Sequence, residues 1–561
     1  MKQPNVVIIA MNKPLNNDAQ LRQKMISAEN RAERQSSRFP GLDLTAIQGG
    51  VHKNILDLLL QVNGRHMDLL DLMNLVKNHG QAPDLTPDNV ADYYSLAHMV
   101  TLNGIYLYHY LSNQGYDPIL IQNFATADLA DTLQDRPLAV CISSNFILMD
   151  EIKEIASHIK QVAPEVPVIA GGMLIKKVLD QGKDLSPQAL EYLSTFYGNV
   201  DVFIVEAQGE QTLAGLLNSL RNGGDLDKIP NLAFFNAQGK LGFTERIKED
   251  LPIDRTAIRW GRIPRRYLRN TLPVNSSRGC FYRCRFCTYH WFFPEVHYKS
   301  LEVLRAELQE IQRLGFVKHV RFTDDNFTAN KARLKAVLRM MMDEKFDFTW
   351  SSFARASALT PDLVELMKAS GCEFVDMGIE SGSQSILDNM DKRLKREQSI
   401  TAIKMLNEYG IYSRGSFIIG YPGETRQTFS ETIELINESG LPYYHPYLFY
   451  YSRNSKVYEE SAKFHLKGLG LAWRHDTMDA VEASYLISQM VKMIKGAYTD
   501  GLSYLEEIFK LLRGEGYSTE EIQTLFRLKR ELQLATRDPG SDQKPGKRTD
   551  EIFAQLESLV R

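Results

Sequence analysis

Residues 276–291 read SSRGCFYRCRFCTYHW and place Cys280, Cys284 and Cys287 in the spacing C-x3-C-x2-C. Three of the five cysteines of the chain therefore lie in one short segment. Thiolates are soft ligands that favour iron–sulfur clusters or zinc, so this spacing predicts a metal site. Both kinds of site usually take four protein ligands. Three thiolates leave one metal position open, which is typical of catalysis rather than of structural support.

The other two cysteines, Cys141 and Cys372, are remote in sequence and offer no obvious fourth ligand. A zinc site completed by His290 or His297 is therefore an alternative to a cluster, since sites with three cysteines and one histidine are common for zinc. The spacing by itself leaves both interpretations open.

Length and composition set limits on the class of protein. A chain of 561 residues is longer than one hydrophobic core normally serves, so we expect two or three domains. Lys and Arg number 66 against 69 Asp and Glu, and the net charge of −3 argues against a broad nucleic-acid-binding surface. No apolar run reaches the roughly 18 residues of a membrane-spanning helix, so no membrane partner is expected. The start, MKQPNVVIIAMNKP, is typical of a strand rather than a signal peptide, and few, clustered cysteines indicate a reducing cytoplasm.

The first part of the chain, residues 1–222, predicts a doubly wound, Rossmann-like parallel sheet. Short apolar runs typical of buried parallel strands alternate with helical patterns. The predicted strands are residues 6–11, 118–122, 138–143, 166–170 and 200–205. A helical insertion over about residues 15–112 separates the first strand from the others.

Ligands of such sheets bind at the carboxyl ends of the strands. Small, glycyl and acidic residues stand at those ends in this sequence, and glycine lets a flat ligand approach the backbone. The candidate binding residues are Ser143, Ser144, Gly171, Gly172, Glu206, Gly209 and Glu210. No G-x-G-x-x-G follows any of the strands, so the dinucleotide fingerprint is missing.

A second alternation follows a segment rich in Pro, Gly and charge, residues 223–272, which we interpret as a linker. Residues 273–452 contain six predicted strands with five intervening helices, enough for a partial (β/α)6 barrel that carries its site at the strand ends. Residues 453–535 have apolar positions at helical spacing and predict a C-terminal helical domain. Residues 536–561 predict a mobile tail with a short terminal helix, because residues 536–549 contain few apolar side chains.

The cysteine segment and these strand ends resemble the radical S-adenosylmethionine (radical SAM) family over about residues 273–450. The resemblance is carried by C-x3-C-x-aromatic-C with Phe286 as the aromatic, and by FTDDNFT, GIESGS and FIIGYPGET, in the order of the family. It implies a [4Fe–4S] cluster on the three cysteines, with one iron open to SAM. It also implies SAM contacts from Phe286, Arg355, Glu380, Ser381 and Gly420. The four motifs together favour the cluster over zinc.

The N-terminal sheet resembles the cobalamin-binding domain found ahead of radical SAM domains, over about residues 118–222. CISSNF, VIAGGM and VDVFIVEAQGEQT carry this resemblance. The family usually has glycine where Ala207 stands and glutamate where Gln208 stands. The motif D-x-H-x-x-G, which supplies a histidine ligand to cobalt in many cobalamin enzymes, is missing. Cobalamin would therefore be held without a histidine from that motif, and a sheet that kept its shape and lost the cofactor is the alternative.

The two resemblances together imply a cobalamin-dependent methyltransferase that acts on an unactivated carbon or phosphorus centre, using an electron donor such as flavodoxin or ferredoxin. The alternatives are ring contraction, cyclisation or oxidation with the same cofactors, a radical SAM enzyme without cobalamin, and a non-enzymatic metal-binding module. The substrate, a small molecule or a peptide, is not readable from the sequence. The polar and aromatic candidates for contact with it are Asp324, Asn326, His445, Tyr447 and His475.

Overall fold

The structure is a computed structural model. It describes residues 5–11, 43–62, 64–86, 89–121, 127–145, 147–180, 193, 197–236, 238–501, 505–537 and 545–561. The chain forms two compact units, one of Met1–Leu15, Ala97–Arg269 and Glu302–Leu314, the other of Asn16–Leu96, Asn270–Leu301 and Gly315–Arg561. Among the described helices, none combines the length and the apolar character needed to cross a bilayer.

The first unit is built on a seven-stranded sheet. Its strands are β1 (Asn5–Ile9), β2 (Asp117–Ile121), β3 (Ala139–Ser143), β4 (Val168–Gly171), β5 (Val202–Ile204), β6 (Leu232–Phe235) and β7 (Leu241–Phe243). They lie in the order β2-β1-β3-β4-β5-β6-β7, and β1 to β5 are parallel. The order 2-1-3-4-5 is that of a doubly wound sheet whose strand order reverses between β1 and β3, and ligands bind at the carboxyl ends of the strands at such a reversal.

Helices connect these strands. The described ones are Leu102–Asn113, Ala127–Gln134, Met149–Val162, Met173–Leu179 and Glu210–Asn222. Helix Met149–Val162 buries Ile152, Ile155, Ala156 and Ile159, which share one face at i, i+3, i+4 and i+7. These side chains belong to the same hydrophobic core as those of β1, β3 and β4, so the apolar periodicity of the sequence fixes the packing.

Residues 223–272 are more than a linker, which corrects the sequence prediction. β6 pairs antiparallel with β5, and β7 pairs antiparallel with β6. Asn231 locks this addition, since its side-chain nitrogen donates to the Ile247 carbonyl at 2.7 Å and its backbone nitrogen donates to the Glu245 carbonyl at 2.7 Å. Two short apolar runs, LAFF and LGF, supply the strands, and the surrounding Pro, Gly and charged residues obscured them.

The second unit is built on six parallel strands, where the sequence predicts them. They are β8 (Thr271–Val274), β9 (His319–Phe322), β10 (Thr349–Ala354), β11 (Cys372–Glu380), β12 (Tyr412–Ile419) and β13 (Tyr443–Leu448), and they lie side by side in chain order. The helices after β9 to β12 are Lys331–Glu344, Pro361–Ala369, Gln384–Asn389, Arg396–Glu408 and Arg426–Ser439. Because every strand runs in the same direction, their carboxyl ends meet at one edge, and the predicted site residues lie there.

The described part of the predicted insertion divides between the two units. Helices Leu44–Leu56 and Leu69–Lys77 belong to the second unit, whereas helix Leu102–Asn113 belongs to the first. The Asn54 side chain donates to the Val481 carbonyl at 3.1 Å and to Ser484 Oγ at 2.9 Å. The sequence prediction that the whole insertion belongs to the N-terminal domain is therefore wrong, because helical periodicity reveals an apolar face but not the partner it packs on. Residues 15–42, 63, 87 and 88 of the predicted insertion lie outside the described residues.

The C-terminal region is mainly helical, as predicted, but it also contains a hairpin. Its described helices include Ala480–Met493, Leu505–Gly514, Thr519–Arg537 and Pro545–Leu559. Strands Lys467–Leu469 and Ala472–Arg474 pair antiparallel and form the hairpin. The last helix buries Ile552 and Leu556 and is the terminal helix predicted for this tail, although it already begins at Pro545, inside the part predicted to be mobile. Residues 538–544 of that tail lie outside the described residues.

Candidate functional site

The cysteine segment forms a loop that follows β8 at the carboxyl edge of the second sheet. Cys284 is buried, and Cys280 and Cys287 are half-buried. A turn closed by the Cys287 backbone nitrogen and the Cys284 carbonyl, 3.0 Å apart, brings the last two cysteines together. Gly279 precedes the loop with φ +94°, and a β-carbon there would collide with the Glu295 carbonyl. Only glycine fits this close backbone approach.

Two carboxylates at the end of β9 hold this loop. Asp324 accepts hydrogen bonds from Ser276 N at 3.0 Å, from Ser276 Oγ at 2.7 Å and from Ser277 Oγ. Asp325 accepts from Gly279 N at 2.8 Å. Asp324 is completely buried, so its role is to anchor the cysteine loop. The prediction that Asp324 contacts the substrate is therefore wrong, because its oxygens face the loop.

The donor set suits a cluster better than a single metal ion. Within the described ranges, no three His, Cys, Asp or Glu side chains converge on one metal position. A mononuclear zinc site requires that convergence, whereas each thiolate of a cubane cluster binds a different iron. Burial raises the pKa of the Cys284 thiol, and the nearby positive charges of Lys392 and Arg355 oppose that rise. The three thiols therefore fit a cluster whose negative charge neighbouring cations offset.

Arg355 follows β10 and is the clearest ligand-binding side chain at this edge. Its guanidinium carbon lies 3.6 Å from the centroid of the Tyr282 ring, inside the cysteine loop. Arg355 Nε and Nη2 are buried and have no hydrogen-bond partner among the described residues. Buried guanidinium nitrogens are normally paired, so the site has room for an anionic group. A carboxylate matches the guanidinium fork.

Asn326 supports Arg355 indirectly and is not directed at a substrate by any described contact. Its Oδ1 accepts from Thr328 Oγ1 at 2.9 Å, and Thr328 Oγ1 in turn accepts from the Arg355 backbone nitrogen at 2.9 Å. This chain of bonds fixes the end of β10. The structure thus gives Asn326 a positioning role in place of the predicted substrate contact.

Glu380 and Ser381 end β11 and lie beside the cysteine loop. Glu380 has φ +71°, a left-handed conformation that is strained for a side-chain-bearing residue. Its Oε1 accepts from Lys392 Nζ at 2.7 Å, and Lys392 Nζ lies 5.7 Å from the centroid of the Phe286 ring. Ser381 is fully buried, and its Oγ accepts from Ser383 N at 3.1 Å. Lys392 therefore lies near both Glu380 and Phe286, while Ser381 shapes the turn.

Gly420 ends β12, where its conformation and its neighbours both demand glycine. Its φ is +84°, and an added β-carbon would collide with the Trp473 ring. His475 stacks on Trp473 with ring centroids 5.2 Å apart, and its Nε2 lies 3.2 Å from the Gly420 carbonyl. His475 therefore supports the Gly420 turn, which corrects its prediction as a substrate contact. The Gly420 backbone nitrogen donates to the buried Glu424 carboxyl.

Burial of Glu424 should make the stability of the protein depend on pH. Burial raises the pKa of the Glu424 carboxyl to about 8, and its bond to Gly420 N only partly opposes this. The folded state then holds a proton that the unfolded state releases above its ordinary pKa, so stability falls as pH rises from about 4.5 to about 8. We expect wild type to lose about 2–5 kcal/mol relative to Glu424→Gln over that window. Thermal unfolding of both proteins at about pH 5 and about pH 8.5 measures the difference. Parallel pH profiles for the two would contradict it.

His445 and Tyr447 lie on the last strand of the sheet, on the same face. Their ring centroids are 4.2 Å apart. Burial, with a smaller contribution from the Arg414 charge, lowers the pKa of His445 to about 3, so its imidazole is neutral at physiological pH. Tyr447 is exposed, with 36% of its surface accessible. Tyr447 thus stays a candidate for substrate contact, and His445 is placed to orient it.

The first unit contains a separate pocket at the carboxyl ends of β3, β4 and β5. Its empty volume, which includes open solvent, is about 560 Å³. Five of the seven residues predicted from the sequence line it, namely Ser143, Gly171, Gly172, Gly209 and Glu210. It lies at the carboxyl ends of parallel strands, where ligands of this fold bind.

The other two predicted residues stand behind this pocket. Glu206 Oε1 accepts from Lys176 Nζ at 2.8 Å and from Ala207 N at 2.7 Å. Ser144 Oγ accepts from Ile175 N at 3.2 Å. Both residues fix the backbone around the pocket and do not line it.

The glycines of the pocket are required by the protein itself as well as by any ligand. An added β-carbon at Gly209 would lie 2.5 Å from Ile204 Cγ2, and one at Gly171 would lie 3.2 Å from Ile204 Cβ. Gly172 has φ +105°. The sequence explains these glycines only by the room they leave for a flat ring. The structure adds a second reason, which is that the backbone and Ile204 leave no space for a β-carbon. Bulky substitutions at these positions would disturb the fold together with the pocket.

Sequence reasoning missed the residues that helix Leu102–Asn113 brings to this pocket. Asn103, Tyr106 and Leu107 line it, and Asn103 Nδ2 donates to Ser143 Oγ at 2.9 Å. The sequence of a helix that follows a long insertion does not show that the helix packs against the first strand. The contact between Asn103 and β3 became visible only from the fold.

Comparisons with known proteins agree with this geometry. The family model described as the radical SAM superfamily matches residues 274–436. An uncharacterized methyltransferase of Pyrococcus horikoshii is 29% identical over 304 residues, 53% of this chain and 66% of that protein. The anaerobic magnesium-protoporphyrin IX monomethyl ester cyclase of Rubrivivax gelatinosus is 24% identical over 354 residues, 59% of this chain and 61% of that protein. The chain thus spans about two thirds of the length of these relatives.

Among solved structures, the fold resembles that of the radical SAM methyltransferase TsrM from Kitasatospora setae, determined with cobalamin and a [4Fe–4S] cluster bound. The TM-score is 0.60, at 15% sequence identity, over 78% of this chain and 97% of that one. At this identity the likeness concerns the fold.

Proposed function

Because the chain belongs to the radical SAM superfamily and shares the fold of a cobalamin-binding member, we propose that it is a cobalamin-dependent radical SAM methyltransferase. It moves a methyl group from SAM, by way of cobalamin, to an unactivated carbon or phosphorus centre. The observation that carries the proposal is the pairing of a three-thiol loop with Arg355, whose two unpartnered nitrogens lie beside it. A cluster that binds SAM through an open iron requires three thiolates. It also requires a nearby group that can bind the SAM carboxylate, and the Arg355 guanidinium is such a group.

The residues of the second unit have distinct roles in this proposal. Cys280, Cys284 and Cys287 hold the [4Fe–4S] cluster, and Arg355 binds the SAM carboxylate. Glu380 lies by Phe286 at the end of β11 and contacts the SAM ribose, and the Gly420 turn borders the adenine. When bound, the cluster supplies the electron that cleaves SAM. The chain itself orients SAM and excludes water, since Arg355 and Glu380 are both buried.

Cobalamin is proposed for the pocket of the first unit. Its position at the carboxyl ends of the parallel strands β3, β4 and β5 and the glycines Gly171 and Gly172 in its lining support a large planar ligand there. No histidine lines the pocket among the described residues. Cobalt would therefore be held without an imidazole from the protein. A small-molecule or peptide substrate and a flavodoxin-like or ferredoxin-like electron donor complete the proposal.

A cyclase or another cobalamin-dependent radical reaction is the second candidate. It is favoured by the similarity to the cyclase of Rubrivivax gelatinosus, which extends over more of this chain than the similarity to the Pyrococcus methyltransferase. The two candidates share both cofactors and differ in what happens to the substrate after hydrogen abstraction.

Electron paramagnetic resonance tests the proposed cobalamin site. Protein expressed with cobalamin should retain it through gel filtration. Its Co(II) form should lack the splitting that an axial nitrogen would cause. Splitting from a protein nitrogen would contradict the histidine-free site, and loss of all cobalamin on the column would remove the methyltransferase proposal while leaving the radical SAM assignment in place.

Replacing Arg355 should weaken SAM binding and leave the cluster intact. Truncating one partner of a buried charge pair costs about 2–5 kcal/mol, so Arg355→Met should raise the SAM dissociation constant by roughly 30-fold or more. Arg355→Lys is the matched control, because it keeps the charge but loses the two-pronged geometry, and its loss should be smaller. Isothermal titration under anaerobic conditions measures both. Unchanged affinity in Arg355→Met would remove Arg355 from the SAM site.

A further inference from the structure

Lys392 lies in a short loop that is bonded to the cysteine loop. This loop connects helix Gln384–Asn389 to helix Arg396–Glu408. The Arg285 backbone nitrogen donates to the Met390 carbonyl at 2.9 Å, and Arg285 Nη1 donates to the Asn389 carbonyl at 2.9 Å. Both neighbours of Lys392, Asp391 and Arg393, have positive φ angles of 47° and 51°. The backbone is therefore held in an unfavourable conformation that directs the Lys392 side chain inward.

The Lys392 side chain is buried, which is unusual for lysine. Only 8% of its surface is accessible, against 67% for the adjacent Arg393. Its Nζ donates to Glu380 Oε1 at 2.7 Å and lies 5.7 Å from the centroid of the Phe286 ring, next to Cys287 in sequence. A buried charge persists only when it is compensated. Glu380 compensates it in part, and the cysteine thiolates are the other negative groups on this side.

The backbone at Glu380, the other partner of the pair, is strained as well. Glu380 itself has φ +71°, and β11 is irregular between Gly378 and Glu380, where its register with β12 shifts. Gly378 leaves room for the pair, because a β-carbon there would lie 2.5 Å from Glu380 Oε1 and 3.0 Å from Lys392 Nζ. One ion pair at the edge of the proposed cluster and SAM site is thus supported by the positive φ angles of Asp391, Arg393 and Glu380, by the register shift of β11 and by the absence of a side chain at Gly378.

We propose that Lys392 is a positioning residue that does two things at this site. It holds the Glu380 carboxylate in the orientation that meets the SAM ribose, and its charge offsets the negative charge of the thiolate-bound cluster. The inference rests on the proposed function. Three thiolates bring three negative charges to a buried place, and reduction adds one more, so a buried cation lowers the energy of the reduced form relative to the oxidised form. Lys392 therefore raises the reduction potential of the cluster.

The test compares anaerobically reconstituted wild type, Lys392→Met, Lys392→Gln and Lys392→Arg. The matched control is Arg393→Met, which removes a positive charge from the same loop at an exposed position. Iron content and thermal unfolding establish that each variant folds and carries a cluster. A dithionite titration followed by electron paramagnetic resonance then gives the potential. Dithionite dissociates at its S–S bond into two SO2•− radical anions, and each one gives one electron to a cluster and is oxidised to sulfite, while no bond of the protein is made or broken. SAM affinity is measured separately by isothermal titration.

We expect a lower potential in Lys392→Met and Lys392→Gln, and a potential near that of wild type in Lys392→Arg and Arg393→Met. SAM affinity should fall roughly tenfold in Lys392→Met, and less in Lys392→Gln, which keeps an N–H donor for Glu380. If Lys392→Met does not fold, Lys392→Gln still tests the effect of the charge on the reduction potential, since it removes the charge and keeps an N–H donor for Glu380. A potential and an affinity equal to those of wild type in the charge-removing variants would overturn the inference. Failure of wild type to take up a cluster would instead overturn the proposed function.

Discussion

Replacing Cys280, Cys284 and Cys287 together with alanine will abolish the iron–sulfur absorbance of the anaerobically reconstituted protein and all reductive cleavage of SAM. The three thiols are the only cysteines in the loop at the carboxyl edge of the second sheet. In the proposed cluster each thiolate would bind a separate iron, so we expect no other side chain to replace them. Iron analysis, the visible spectrum and 5'-deoxyadenosine formation with dithionite measure the effect.

The matched control for this prediction is Cys372→Ala. Cys372 is buried at the start of β11, at the opposite end of the strand from Glu380, so it is not part of the cysteine loop. Cys372→Ala should keep the full iron content and the full SAM cleavage of wild type. Retention of a full complement of iron by the triple variant would contradict the assignment of the cluster to this loop.

Replacing Ala207 with phenylalanine will prevent the first unit from retaining cobalamin. Ala207 lines the pocket in the turn between β5 and helix Glu210–Asn222. Its backbone nitrogen donates to the Glu206 carboxylate, which holds the turn in place. A phenylalanine ring lying in the pocket would occupy the space proposed for the cofactor.

Ala207→Ser is the control for that variant, because it adds one oxygen at the same position. Co-purification of cobalamin, measured from its absorbance after gel filtration, should be abolished in Ala207→Phe and kept in Ala207→Ser. The iron content of both should equal that of wild type, because the cysteine loop belongs to the other unit. If Ala207→Phe binds cobalamin as well as wild type does, the proposed pocket is wrong.

The edges of both sheets could be predicted from the sequence because parallel strands have two signals that do not depend on distant contacts. Runs such as residues 138–143 are apolar throughout, since both faces of the strand are buried. Candidate ligand-binding residues stand at the ends of such apolar runs. Gly171, Arg355 and Glu380 could therefore be assigned to strand ends without a structure. The cysteine spacing marked the loop in the same way.

The roles of individual polar residues were harder to predict, because a carboxylate or an imidazole looks the same whether it meets a ligand or a neighbouring loop. Asp324 and His475 were both predicted to contact substrate, and both bind the backbone of adjacent loops instead. Lys392 was not singled out, since lysine in a charged segment is normally exposed. Its burial follows from two positive φ angles on either side, which no pattern in the sequence revealed.

The partner of the insertion could not be predicted either. Helix Leu44–Leu56 has an apolar face that fits any other apolar face. Its contacts with Val481 and Ser484 join positions more than 400 residues apart. Periodicity in one segment contains no information about such long-range pairing. The same limit hid the return of helix Leu102–Asn113 to the first sheet.

The transfer of a labelled methyl group tests the proposed function most directly. Wild-type protein, reconstituted with iron and sulfide and loaded with cobalamin, is incubated anaerobically with dithionite and SAM that carries a trideuterated methyl group. Mass spectrometry of the extracted corrinoid and nucleosides follows. The proposal predicts cobalamin that carries the trideuterated methyl group, together with 5'-deoxyadenosine. Formation of 5'-deoxyadenosine while the cobalamin stays unlabelled would contradict it.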